Sequence, residues 1–265
     1  MRPSTSVAPG AALATFVQIM WRDTFVTWRE FPSFIVQVIV QPFFLVFVFG
    51  KVITDLGFAR PGYADLLVPG IVALTAVLTA IQSTALPLVI EFSFTREVED
   101  RLLAPIPLAL VAVEKIVVGA LRGIIAAAVI VPVSLIVLGH VPFHVDQLHQ
   151  LVFFTIAGAL AGGAMGLTLG TVVTPNRITV AFAVTLTPLI FTGCSQYPWP
   201  SLAQLRWFQV VTLFNPLTYA SEGTRASLLP QSPHMPTWIA ALVLVAAIVV
   251  FSVLGIRGFD RRAID

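Results

Sequence analysis

The stretch from Ile116 to Leu138 reads IVVGALRGIIAAAVIVPVSLIVL, with Arg122 as its one ionisable side chain, and much of the chain is written the same way. A bilayer's hydrocarbon core is about 30 Å thick and needs about 20 apolar residues per helical crossing. In lipid each backbone polar group must be satisfied inside its own segment, which an α-helix does. Six stretches meet that demand: 33–50, 66–90, 116–138, 151–173, 178–194 and 237–256. With 57% hydrophobic and 11% charged residues, the chain reads as an all-α membrane protein with six transmembrane helices, one domain over residues 1–265.

The charges that remain report orientation. With both termini in the cytosol, Lys51, Arg60, Arg206 and Arg225 fall outside, and the rest of the 15 Lys and Arg lie at or near the inner face. That bias predicts a multi-pass protein of the cytoplasmic membrane with cytosolic N- and C-termini. Arg122 is expected about two turns into the third span, near enough to the inner face to snorkel as an anchor. The net charge of +2 and the dispersed basic residues argue against a nucleic-acid partner. Cys194 is the only cysteine, which excludes an intrachain disulfide and any CxxC motif. The first 25 residues lack a long apolar run ending in a small-residue cleavage site, so no cleaved signal peptide is expected. Within 11–30, Leu13, Val17, Met20 or Trp21, Phe25 and Trp28 recur every three or four positions, with Arg22, Asp23, Arg29 and Glu30 mostly between them. An amphipathic helix at the interface is predicted there.

Residues 91–107, EFSFTREVEDRLLAPIP, concentrate both charge signs between the second and third spans. Phe94, Val98 and Leu102 share a helical face; Arg96 with Asp100 and Glu97 with Arg101 are opposite-charge i,i+4 pairs. Pro105 and Pro107 would end that helix. A solvated loop helix without a partner fits this pattern as well as a docking element does. A Mg²⁺-diphosphate enzyme of the prenyltransferase type needs several converging oxygen ligands. Here Arg96 and Arg101 offset the acids, and no second acidic motif stands in another cytosolic loop. An ion-coupled carrier, the main alternative, needs titratable groups inside the spans, and these are almost absent. The polar residues in the spans are neutral: Gln37 and Gln41 in the first, and Thr75, Thr79, Gln82 and Ser83 on one face of the second. They can line a path for an amphipathic molecule or bond between helices. Gly158, Gly162, Gly166 and Gly170 form a small-residue ridge on the fourth span, suited to close helix packing. His140, His144 and His149 with Asp146 have no metal-site spacing, and no phosphate-binding loop, HExxH or GxSxG is present. No catalytic, cofactor-binding or metal residue is assigned.

Two segments carry a family resemblance: TREVEDRLLAPIPLALVAVEKIV at 95–117 and FNPLTYASEGTRASLL at 214–229. With six spans and a long Pro-broken stretch before the last, the chain resembles the ABC-2 type permeases, membrane subunits of drug, polysaccharide and lipid exporters. The resemblance implies a coupling helix in the first cytosolic loop that docks on a separate ATPase subunit, using Thr95, Arg96, Glu97, Asp100 and Arg101 as contacts, with Leu102 and Leu103 packing back. It implies that residues 195–236 form an external region with short helices re-entering the outer leaflet as an external gate, with Asn215, Pro216, Tyr219, Glu222 and Arg225 as its residues. It further implies export of a hydrophobic or amphipathic substrate, MgATP bound by the partner ATPase and not by this chain, a second permease copy, identical or not, and a non-catalytic role. Gln37, Gln41, Thr75, Thr79 and Gln82 are then the pathway-lining candidates.

Overall fold

The computed structural model describes residues 31–60, 62–92, 108–142 and 145–264. Every regular element among them is helical. Helix α1 (Phe31–Leu45) contains Pro42 and continues through a π-helical stretch, Val46–Val52, into a last short turn, Ile53–Asp55. Four long helices follow: α2 (Tyr63–Ile90), α3 (Leu108–Leu138), α4 (Leu148–Val172) and, at the C-terminal end, α8 (Thr237–Ile264). Between α4 and α8 lie α5 (Ile178–Thr192), the 3₁₀ turn Trp199–Gln204, α6 (Arg206–Thr212) and α7 (Pro216–Leu228).

α2 is apolar on all sides, which suits a helix surrounded by others. It is buried without a break from Leu67 to Ile81 and packs on α3, α4 and α7. Glycines set how near its neighbours come. A Cβ at Gly162 of α4 would stand 2.5 Å from the Val77 carbonyl oxygen, and one at Gly166 would stand 2.6 Å from that of Ile81. Gly158 and Gly170 extend the contact to Val77 and to Ala85 and Leu88, so both helices climb together and are parallel. On α3, Gly123 meets Ala76 while Gly119 meets Thr84, the reverse order, so α3 runs antiparallel to α2. α8 in turn packs parallel to α4, with Gly255 against Leu167 and Gly258 against Thr171. The glycine ridge therefore works as an intrachain packing surface, which gains dispersion contact where lipid supplies no hydrophobic drive.

Among the described residues, five helices are long and apolar enough to cross a membrane: Phe34–Asp55, Tyr63–Ile90, Leu108–Leu138, Leu148–Val172 and Thr237–Arg262. The stretch expected as a fifth crossing, 178–194, forms the 15-residue α5 instead. At 1.5 Å per residue it is about 22 Å long, short of the hydrocarbon thickness. It stops because the chain turns at Gly193 and Cys194, the latter at φ 51°, in the left-handed region. α3 departs from expectation in the other direction, starting at Leu108 rather than near residue 116. Its first turns carry Glu114 and Lys115, both buried, and Lys115 Nζ lies 2.6 Å from Glu91 Oε1 at the end of α2. Pairing is what lets such charges enter a buried helix end.

Gly166→Ala is expected to cost about 1–3 kcal/mol by forcing α4 off the α2 backbone. Gly170→Ala should cost less, since the nearest atom to its Cβ is a movable Leu88 methyl at 2.9 Å. Thermal unfolding of the two purified variants checks the order.

Candidate functional site

Polar side chains gather at two places in this apolar bundle. The first is α7, whose 13 residues are all buried although its sequence, PLTYASEGTRASL, is half polar. It packs against α2, α4 and α8. Asn215 starts it: its Oδ1 accepts from the Leu217 N–H at 2.9 Å, and Pro216 occupies the first helical position. The same side chain donates through Nδ2 to the Leu189 carbonyl at 2.8 Å and to Thr192 Oγ1 at 2.9 Å, tying α7 to the end of α5. Thr218 Oγ1 lies 2.7 Å from the Thr212 carbonyl, and Tyr219 OH donates to the Leu213 carbonyl at 2.7 Å.

At the centre of α7, Glu222 and Arg225 are fully buried and in direct contact, Oε1 to Nη1. The carboxylate also accepts the Trp199 N–H at 3.0 Å and the Met235 N–H at 2.8 Å. The guanidinium donates through Nη2 to the Cys194 carbonyl at 2.9 Å. Its Nε has no hydrogen-bond partner among the described residues. Left-handed backbone at a non-glycine residue such as Cys194 costs about 1–2 kcal/mol. A hydrogen bond to a charged donor returns about 1.5–3 kcal/mol, enough to hold the turn. Glu222 and Arg225 thus clamp two connecting segments to α7, the one after α5 at Cys194 and Trp199 and the one before α8 at Met235. A carboxylate with both oxygens engaged this way is a structural fastening, with little capacity left for a ligand. All five residues expected at the gate, Asn215, Pro216, Tyr219, Glu222 and Arg225, come together in this knot.

The second place is a cavity of about 220 Å³ between α1, α2 and α3. Gln37, Gln41, Thr75, Thr79 and Gln82, the five pathway candidates, all line it. Thr75 commits its hydroxyl hydrogen to the Ile71 carbonyl at 2.7 Å. Among the described residues, Gln37, Gln41 and Gln82 make no side-chain hydrogen bond, so their amides face the opening uncommitted. Arg122 lines the same cavity. It stands about 21 Å along the described part of α3, which runs from Leu108.

The end of the bundle where α2, α4 and α8 finish is fastened by charge. Besides Glu91 and Lys115, Arg262 Nη1 donates to the carbonyls of Gly170 at 2.9 Å and Val173 at 2.8 Å, capping α4. The Arg262 guanidinium also stacks 4.9 Å from the Phe92 ring centroid. The coupling residues Thr95, Arg96, Glu97, Asp100, Arg101, Leu102 and Leu103, and the interfacial helix 11–30, lie outside the described residues. At the opposite end His140 Nε2 meets Asp65 Oδ1 at 2.7 Å. The described residues hold no group of three metal-ligating side chains.

A bundle of membrane-length apolar helices with one polar cleft defines a multi-pass membrane protein. Residues 14–229 match the ABC-2 type transporter family, and the chain belongs to that family. No curated protein and no solved structure gave a significant match.

Removing one partner of the α7 ion pair leaves a buried charge uncompensated. Glu222→Gln and Arg225→Met should therefore each destabilise by about 3–5 kcal/mol. The double variant is expected to fall short of the sum of the two losses, which a double-mutant cycle on thermal unfolding measures.

Proposed function

We propose that this chain is the permease subunit of an ATP-driven exporter in the cytoplasmic membrane. It moves a hydrophobic or amphipathic molecule outward, and a separate ATPase subunit binds MgATP and supplies the work. The observation that carries the reading is the family match over residues 14–229, joined to a polar cleft in an otherwise apolar bundle. ABC-2 permeases generally act with an ATPase subunit. In this proposal two permeases, identical or not, face each other across the exposed α1 surface that carries Gln37 and Gln41. Both termini are cytosolic, α5 with the segments after it completes a sixth crossing, and α7 is the re-entrant external gate.

Residues 95–103 form the coupling helix docked on the ATPase. Charged pairs on a short helix suit that role because electrostatic complementarity fixes register at a subunit interface. The roots of that segment are gripped: Glu91 by Lys115 of α3, and Phe92 by Arg262 and Phe259 of α8. A push on the loop would then pass to α2, α3 and α8 together, and α2 and α3 form walls of the cleft. The gate residues supply rigidity on the far side, so motion at the cleft does not unravel the connectors.

Co-expression with the ATPase subunit tests this reading. Glu97→Lys and Arg101→Glu should each lower ATPase co-purification about tenfold, the loss of about 1.4 kcal/mol at the interface. Lys115→Met should spare co-purification and lower ATP-driven transport. An ATPase subunit that never co-purifies, or transport that survives ATP depletion and stops when the ion gradient collapses, would overturn it.

A further inference from the structure

The geometry points to a specific ligand chemistry for the cleft between α1, α2 and α3: it recognises the vicinal hydroxyls of an amphipath with a polyol headgroup, through side chains that both donate and accept hydrogen bonds. This rests on the proposed export function and deepens it by naming the class of cargo.

Helix hydroxyls in this bundle are commonly spent on their own backbone, four residues back. Thr84 donates to the Ala80 carbonyl at 2.9 Å, Thr168 to that of Ala164 at 3.0 Å and Thr224 to that of Ala220 at 2.7 Å. Thr75, on the cleft wall, does the same with Ile71. Thr79 and Ser83 continue the same face of α2 and also line the cleft, yet among the described residues neither makes such a bond. Gln82 stands beside them, and Gln37 and Gln41 line the cleft from α1, one turn apart. Five neutral side chains, each able to donate and to accept, therefore meet one opening from two walls.

An unmatched amide or hydroxyl is costly where water is scarce, so a ligand gains by matching these groups. Each glutamine offers an amino group and a carbonyl oxygen. A ligand that only accepts leaves the three carbonyl oxygens unmatched, and one that only donates leaves the three amino groups unmatched. Vicinal hydroxyls do both at neighbouring atoms, which suits them to two polar walls at once. Val38, Leu74, Leu78 and Leu86 supply apolar surface beside the polar groups. A volume of about 220 Å³ falls below that of sites enclosing a drug-sized molecule, roughly 300–1,000 Å³. It accommodates a headgroup and the first methylenes. The rest of the tail lies outside along α1, where Val36, Val40 and Phe44 are exposed next to Gln37 and Gln41.

The test uses the full chain in nanodiscs of phosphatidylcholine, with two fluorescent probes on one dansyl-undecanoyl tail: an N-methylglucamide and a dimethylamide. Both probes are uncharged, so the comparison reads hydrogen bonding and not the charge of Arg122, which also lines the cleft. With partitioning into protein-free nanodiscs subtracted, the glucamide is expected to bind at least about tenfold tighter than the dimethylamide. Gln41→Leu and Gln82→Leu should each weaken the glucamide about three- to tenfold, the loss of one hydrogen bond, and shrink its advantage. Gln41 is exposed on α1, so its variant leaves the packed core intact and decides should Gln82→Leu fail to fold. Equal binding of the two probes, or undiminished glucamide binding by Gln41→Leu, would overturn the inference. Sorbitol equimolar to the glucamide should leave the probe bound. Displacement at that concentration would overturn the amphipathic half of the inference and make a soluble polyol the ligand. No ATPase takes part in this assay, so its failure leaves the coupling proposal standing, and failure of coupling leaves the hydroxyl preference standing.

Discussion

The rest of the bundle depends on the contact between α2 and α4, where glycines let one backbone lie against the other. In lipid there is no gain from hiding one apolar surface against another of the same kind, so helices associate through close contact and hydrogen bonds. Gly162 and Gly166 bring the α4 backbone against the carbonyls of Val77 and Ile81. On the same α2 surface, Gly119 and Gly123 bring in α3. A side chain at any of these would widen the spacing and shift both neighbours, because close-packed interiors transmit small displacements. α7 is seated on this frame at one end, with Gly158 beneath Ala220 and Gly223 against the Phe154 ring. The glycine spacing is thus also what positions the buried ion pair.

That ion pair and the cleft treat polar groups in opposite ways. In α7 nearly every hydrogen-bonding group is consumed internally, by connectors that would otherwise expose unsatisfied backbone. Non-helical chain inside a membrane protein is tolerable when protein satisfies and covers it, and Glu222 does this for the amides of Trp199 and Met235. In the cleft, three amides are uncommitted among the described residues. A saturated network resists rearrangement, whereas an open one is available to a ligand. The knot therefore suits a stationary element and the cleft suits a binding surface.

Much of this arrangement was legible in the sequence, because the physics involved is periodic. Gly158, Gly162, Gly166 and Gly170 at every fourth residue marked a packing ridge, and the ridge packs. Gln37 and Gln41 on one helix, and Thr75, Thr79 and Gln82 on the next, marked a shared face, and one cleft gathers all five. Glu222 and Arg225, expected together among the gate residues, are in direct contact at i,i+3 spacing. What escaped reading has no side-chain signature. The partners that hold Glu222 are main-chain amides, and the turn at Cys194 is a non-glycine residue in a conformation that glycine usually takes. The pairing between Lys115 and Glu91 spans 24 residues of sequence and is invisible to any local window.

That pairing bears on how force could cross the molecule. An exposed ion pair contributes little, but one at 2.6 Å with side-chain exposures of 8% and 13% is weakly screened and costly to separate. Glu91 ends α2 and Lys115 lies in the second turn of α3, so the pair closes the base of the loop that joins them. On the other side of α2's end, Phe92 packs on Phe259 at 5.3 Å between ring centroids and under Arg262, which itself caps α4. Displacing the loop without moving the helices would mean breaking a buried ion pair and a stacked cation at once. Moving the helices as a unit keeps both. The lower-energy response is therefore a concerted shift of the helix ends, and because α2 and α3 also bound the Arg122 cleft, that shift reshapes the site where a ligand would sit.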